Sequence, residues 1–133
     1  MRRVSKRRAA FNKEANQWRE DFKESVGRCE YCLLKAAGSS LDCDEIARGC
    51  CRKIALTAPY AILVLHRHCH HFVQNWSRAK RLAILMLARP EDYDLDAFWR
   101  LTRRNWPDQE DIDREYEYLK EKLEWHEPKS GQA

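Results

Sequence analysis

Apolar residues recur through the start of the chain with the step of a helix. Phe11, Ala15, Trp18, Phe22 and Val26 follow one another at intervals of four, three, four and four. That spacing lays them on one face of a helix over about residues 5–27, with Gly27 as its stop. The texture then changes. Residues 28–65 hold short apolar runs broken by glycines at 38 and 49, and Gly38-Ser39-Ser40 reads as a turn. YAILVL, residues 60–65, follows Pro59 and is rich in β-formers, which predicts a buried strand; SLDC, residues 40–43, is its short partner. From Arg67 the pattern is helical again. Ser77 caps a helix through AKRLAILMLA that ends before Pro90, and its second half is apolar all round, as in a buried helix. Asp94 caps a short helix carrying Leu95, Phe98, Trp99 and Leu101. Asp108 caps a last one with Ile112, Tyr116, Leu119 and Leu123 on a single stripe.

These elements predict one α+β domain over residues 1–133. Its parts are a basic N-terminal helix (1–27), a central core (28–75), C-terminal helices (76–126) and a frayed tail (127–133). The five tryptophans, at 18, 76, 99, 106 and 125, fall at helical positions and read as packing residues. No run approaches the ~18 residues of apolar chain that a membrane-spanning helix needs. MRRVSKRR has no apolar stretch behind it and does not read as a secretory signal.

Charge adds an asymmetry. Residues 1–28 carry nine Lys/Arg against four Asp/Glu, residues 29–90 again nine against four, and residues 91–133 seven against thirteen. A basic front on an acidic end suits a polyanion, most simply nucleic acid, as well as it suits two solvated helices of opposite sign. The acidic last helix also offers its stripe to a protein partner.

Six cysteines without a secretory signal point to a reducing compartment, where paired cysteines bind metal more often than they form disulfides. Cys29-Glu-Tyr-Cys32 is one pair. His66-Arg-His-Cys69 is a second, and together they supply four tetrahedral Zn²⁺ ligands. The plainer reading makes Cys29, Cys32 and Cys69 buried thiols, and His68 is near enough to compete with His66. Cys43, Cys50 and Cys51 lack the spacing and read as small core residues or incidental thiols.

CEYC, then DEI (Asp44, Glu45, Ile46), then ILVLHRHCHHF resembles the HNH endonucleases, and within them the small zinc-knuckle proteins of phage and bacterial genomes. Sequences of that group often read HEI-x-R-G where this chain has DEIARG, residues 44–49. The resemblance covers about residues 28–75 and extends weakly to LARPEDYDL, residues 87–95. It implies a ββα-metal, treble-clef-like core with structural zinc on Cys29, Cys32, His66 and Cys69. It further implies a catalytic Mg²⁺ or Mn²⁺ on Asp44 and His70, and hydrolysis of DNA phosphodiester bonds in the cytoplasm of a bacterial or phage-infected cell. Each site nicks one strand, so a double-strand break needs a homodimer or two visits. Arg48, within the DEIARG match, and Arg52 follow the metal loop and suit a phosphate bidentately.

Two positions depart from the family pattern. Glu45 stands where the general-base histidine is expected, and a carboxylate is ordinarily a weaker base than imidazole. His68 or His71 substitutes for it only if the helix turns one of them to the site. Ala61 stands at the middle asparagine, which in relatives ligates the metal or holds the base loop. The alternative is therefore a zinc-containing DNA-binding module that has lost catalysis.

Overall fold

The N-terminal stripe makes a helix, α1 (Lys6–Val26), of 21 residues. Ala15 is buried, Phe22 and Val26 are partly buried against the core, and Trp18 stacks on Phe22 with ring centroids 4.9 Å apart. The helix stops where the sequence requires it. Gly27 takes a left-handed φ of +64° while its N–H still bonds the Lys23 carbonyl at 2.9 Å. The structure is a computed structural model that describes residues 6–47 and 52–122, without the side chains of 6–9, 52 and 53.

Past Gly27 the chain reverses in a tight loop closed by a bridge between Arg28 and Lys35, and Leu33 at its tip has φ +64°. A 3-10 turn over Gly38–Ser40 leads into strand β1 (Leu41–Glu45). Gly38 lies close under α1. Its N–H donates to the Glu24 carboxylate at 3.0 Å, and a Cβ at Gly38 would lie 2.5 Å from that oxygen. A short helix, α2 (Arg52–Ala55), and a 3-10 turn over Pro59–Ala61 precede strand β2 (Ile62–His66).

The two strands pair antiparallel, from Leu41 opposite His66 to Glu45 opposite Ile62. Both strands sit later than expected. Pro59 nucleates a 3-10 turn that takes in Tyr60 and Ala61, and β1 extends through Asp44 and Glu45, so these acids lie on the strand itself. Ile62, Leu63, Val64 and Leu65 are wholly buried, because both faces of the hairpin are covered.

Helix α3 (Arg67–Val73) follows β2 without a loop. Helix α4 (Arg78–Ala88) starts at Ser77, whose side chain accepts from the Lys80 N–H at 3.1 Å. Helix α5 (Leu95–Thr102) starts at Asp94, which caps the Ala97 N–H at 3.0 Å. Asp108 accepts from the Asp111 N–H at 2.9 Å and opens α6 (Gln109–Lys122). Ile112 and Leu119 of α6 are buried where it packs along α4, so the stripe read as an offer to a partner is used within the chain. Its fourth member, Leu123, lies outside the described residues, as do Trp125 and the tail at 127–133. Trp106 is half exposed and departs from the packing expected of it.

The result is mixed α+β: helices around a small antiparallel hairpin. Among the described residues no helix is long and apolar enough to cross a membrane.

Candidate metal centres

Three elements meet at the first centre. The loop after α1 brings Cys29 and Cys32, the end of β2 brings His66, and the first turn of α3 brings Cys69. Their ligand atoms all lie within 4.8 Å of one another, and Cys32 Sγ is 3.2 Å from His66 Nδ1. Ligands about 2.3 Å from a tetrahedral zinc are ~3.8 Å apart along the edges of the tetrahedron. The four side chains therefore fit one such ion. The donor set fits as well: three sulfurs and one imidazole, on two buried and two half-buried residues. Burial and the adjacent Cys29 push the Cys69 thiol up to about 12, and burial also raises Cys32. A divalent cation supplies the charge that lets such sulfurs bind as thiolates. None of the four described cysteines is in a disulfide, and Cys43 lies apart from the cluster on β1. Cys50 and Cys51 are outside the described residues.

Of the competing histidines, His68 is exposed with its ring edge-on to Phe72 at 5.8 Å, and His71 is exposed as well. Helical geometry explains this. Residues 66, 69 and 70 share the side of α3 that faces the knuckle and β1, and 68 and 71 do not.

Two residues that the spacing did not single out hold this knuckle to the hairpin. Glu30, between the two cysteines, is 2% exposed. Its N–H donates to the Val64 carbonyl at 2.8 Å, and its carboxylate accepts from the Val64 N–H at 2.8 Å and from Arg89 Nε at 2.6 Å. Arg89, at the end of α4, also donates to the Pro59 carbonyl at 3.2 Å, to Asp92 at 2.7 Å and to the Ile62 carbonyl. Burial pushes the Glu30 carboxyl above its ordinary range, against the opposing pull of Arg89.

A second group of titratable side chains lies between β1 and α3. Asp42 and Asp44, two residues apart, project from one face of the strand toward α3. His70 stands between them, with Nδ1 3.5 Å from Asp42 Oδ2 and Nε2 3.3 Å from Asp44 Oδ1. Adjacent ligands at about 2.1 Å from an octahedral ion are ~3.0 Å apart, so the Asp44–His70 pair also fits a shared ion. Asp42 is a residue the motif reading missed. Asp42 sits on the ring nitrogen of His70 turned away from Asp44, and the Asp-x-Asp alternation on a strand was the available signal.

Each of these acids also faces a guanidinium. Arg81 Nη1 is 3.3 Å from Asp44 Oδ2 and 3.3 Å from the Glu45 carbonyl. Arg19 Nη1 is 3.2 Å from Glu45 Oε1, and Arg67 Nε is 3.5 Å from Asp42 Oδ1. Arg81 is buried although it belongs to the basic start of α4, with Arg78 and Lys80, and no local pattern marks it as a partner of the site. Glu45 points from the opposite face of β1 to Asp44, toward α1. Ala61 contributes its backbone: its carbonyl accepts from the Ile46 N–H at 2.9 Å and ties together the ends of the loop. A cleft of about 310 Å³ opens beside His70 between α1 (Asn16, Arg19, Glu20, Lys23) and β1 (Asp42, Cys43). Arg48 and the side chain of Arg52 lie outside the described residues.

Comparison with protein families, with curated proteins and with solved structures finds nothing that matches this chain.

Proposed function

We propose that this protein is a metal-dependent nuclease of the HNH type that hydrolyses DNA phosphodiester bonds on a zinc-braced ββα-metal core. One observation carries the reading. Asp44 and His70, separated by 26 positions in sequence, face each other at 3.3 Å, and His70 directly follows Cys69 of the zinc cluster.

Cys29, Cys32, His66 and Cys69 hold structural zinc in this reading, and Asp44 and His70 hold a Mg²⁺ or Mn²⁺ ion. When bound, that ion stabilises the charge that develops on the scissile phosphate and the leaving oxygen. Asp42 holds the His70 ring so that Nε2 faces Asp44. Glu45, at the base position of the family likeness, points to α1 from the opposite face of β1 and pairs there with Arg19, so it has no part in activating water at this ion. Arg19 and Lys23 line the cleft, paired with Glu45 and Glu20, and exchange those partners for the phosphate backbone in this reading.

The guanidinium partners of Asp44 and Glu45 favour a second reading, a zinc-braced DNA-binding module without catalysis. Nicking of supercoiled plasmid separates the two. Wild type is compared with an Asp44→Ala/His70→Ala variant of equal zinc content, in Mg²⁺, Mn²⁺ or EDTA. The nuclease reading expects metal-dependent nicking by wild type alone. Salt-sensitive DNA binding with no nicking by either protein gives the second reading, and equal nicking by both refutes the assignment of the site.

A further inference from the structure

The charges around β1 are matched before any ion arrives. Asp42, Asp44 and Glu45 each lie within 3.5 Å of an arginine. Two of those arginines sit at the rim, where water screens them: Arg67 is largely exposed and Arg19 partly so. Arg81 differs. Its side chain is 7% exposed and that of Asp44 is 0% exposed. It is followed in α4 by Leu82, Ala83, Ile84 and Leu85, all buried apolar residues, and preceded by the partly buried Arg78 and Lys80. A guanidinium in such a place is stable only against an anion.

Asp44 has two oxygens with different partners. Oδ1 faces His70, and Oδ2 faces Arg81. An ion between Asp44 and His70 therefore shares its carboxylate with a fixed positive charge, at short range and away from water, where repulsion is least screened.

We propose that Arg81 is a resident cation of the β1–α3 cluster that weakens divalent-ion binding at Asp44 and His70. The inference rests on the metal-centre reading above. Arg81 acts through Asp44 as a positioning and charge-setting residue. It lets the buried acid stay paired when no ion is present, and it restricts loading to high ion concentration.

Mn²⁺ titration of the zinc-loaded full chain, followed by the paramagnetic resonance of free Mn²⁺, tests this without any activity assay. Arg81→Met removes the charge and keeps the bulk. It should bind Mn²⁺ roughly tenfold more tightly, or better, than wild type. Arg81→Lys keeps the charge and should stay near wild type. If Arg81→Met is folded and binds Mn²⁺ no more tightly than wild type, the inference fails. It fails too if Arg81→Lys tightens binding as much as Arg81→Met does. Should Asp44→Asn abolish Mn²⁺ binding in either of those cases, the metal centre stands and only the role of Arg81 falls. If neither wild type nor Arg81→Met takes up Mn²⁺, both readings fall.

A second measurement needs no folded variant. The side-chain Nε–H resonance of Arg81 is followed in wild type during a Mg²⁺ titration. It should shift with the same midpoint as the His70 ring. An Arg81 signal that stays still while His70 moves overturns the proposal.

Discussion

The Glu30–Arg89 pair is predicted to be a principal link between the zinc knuckle and the rest of the fold. Both side chains are at most 7% exposed, and they meet at 2.6 Å. Removing one partner from a buried ion pair costs about 3–5 kcal/mol, because the other charge is left without compensation. The two ends should not respond equally. With Glu30→Gln, Arg89 keeps Asp92 at 2.7 Å and two backbone carbonyls, which places the loss near the lower end, ~3 kcal/mol. With Arg89→Met, the Glu30 carboxylate keeps the Val64 N–H as its hydrogen-bond donor and the attraction of Arg28, and the carbonyls of Pro59 and Ile62 lose the Arg89 donor. That places it near the upper end, ~5 kcal/mol. The double variant should be less damaged than the sum of the singles, with a coupling of about 2 kcal/mol. Urea unfolding of all four proteins at a fixed excess of zinc, followed by far-ultraviolet circular dichroism, measures each corner. Single losses under about 1 kcal/mol that simply add would refute the reasoning, since they are the signature of a solvent-screened surface pair.

Two further outcomes follow from the same geometry. Cys32→Ala should lower zinc content from one equivalent and destabilise the region around the hairpin, as should a strong chelator added to wild type; unchanged zinc content and thermal stability would refute the structural assignment. Gly38→Ala should destabilise by about 1 kcal/mol, because its Cβ displaces the Glu24 carboxylate and with it the hydrogen bond from the Gly38 N–H; a thermal midpoint within a degree of wild type would show that Glu24 moves aside freely.

The sequence determined those features whose cause is local. Helical periodicity placed α1, and Gly27 ended it with a positive φ that few other residues tolerate. Ser77, Asp94 and Asp108 each announced a helix start, and each makes the capping bond. The pairs Cys29/Cys32 and His66/Cys69 were legible because a metal site built from two tight turns needs its ligands at close, repeated spacing. The pairing of Asp44 with His70 came from a family likeness, and no local spacing would have supplied it.

Tertiary structure decided what depends on partners distant in sequence. Arg89 lies 59 residues from Glu30, and Arg81 lies 37 from Asp44. Neither arginine differs, in its own stretch of chain, from an ordinary solvated residue. A buried charge is specified by the anion that faces it, and that anion comes from another element, so local pattern carries no trace of it. The same holds for α6. Its apolar stripe was evident in the sequence, but only packing showed that Ile112 and Leu119 face α4 of the same chain. An amphipathic helix specifies that one face must be covered, and the arrangement of the other helices decides what covers it.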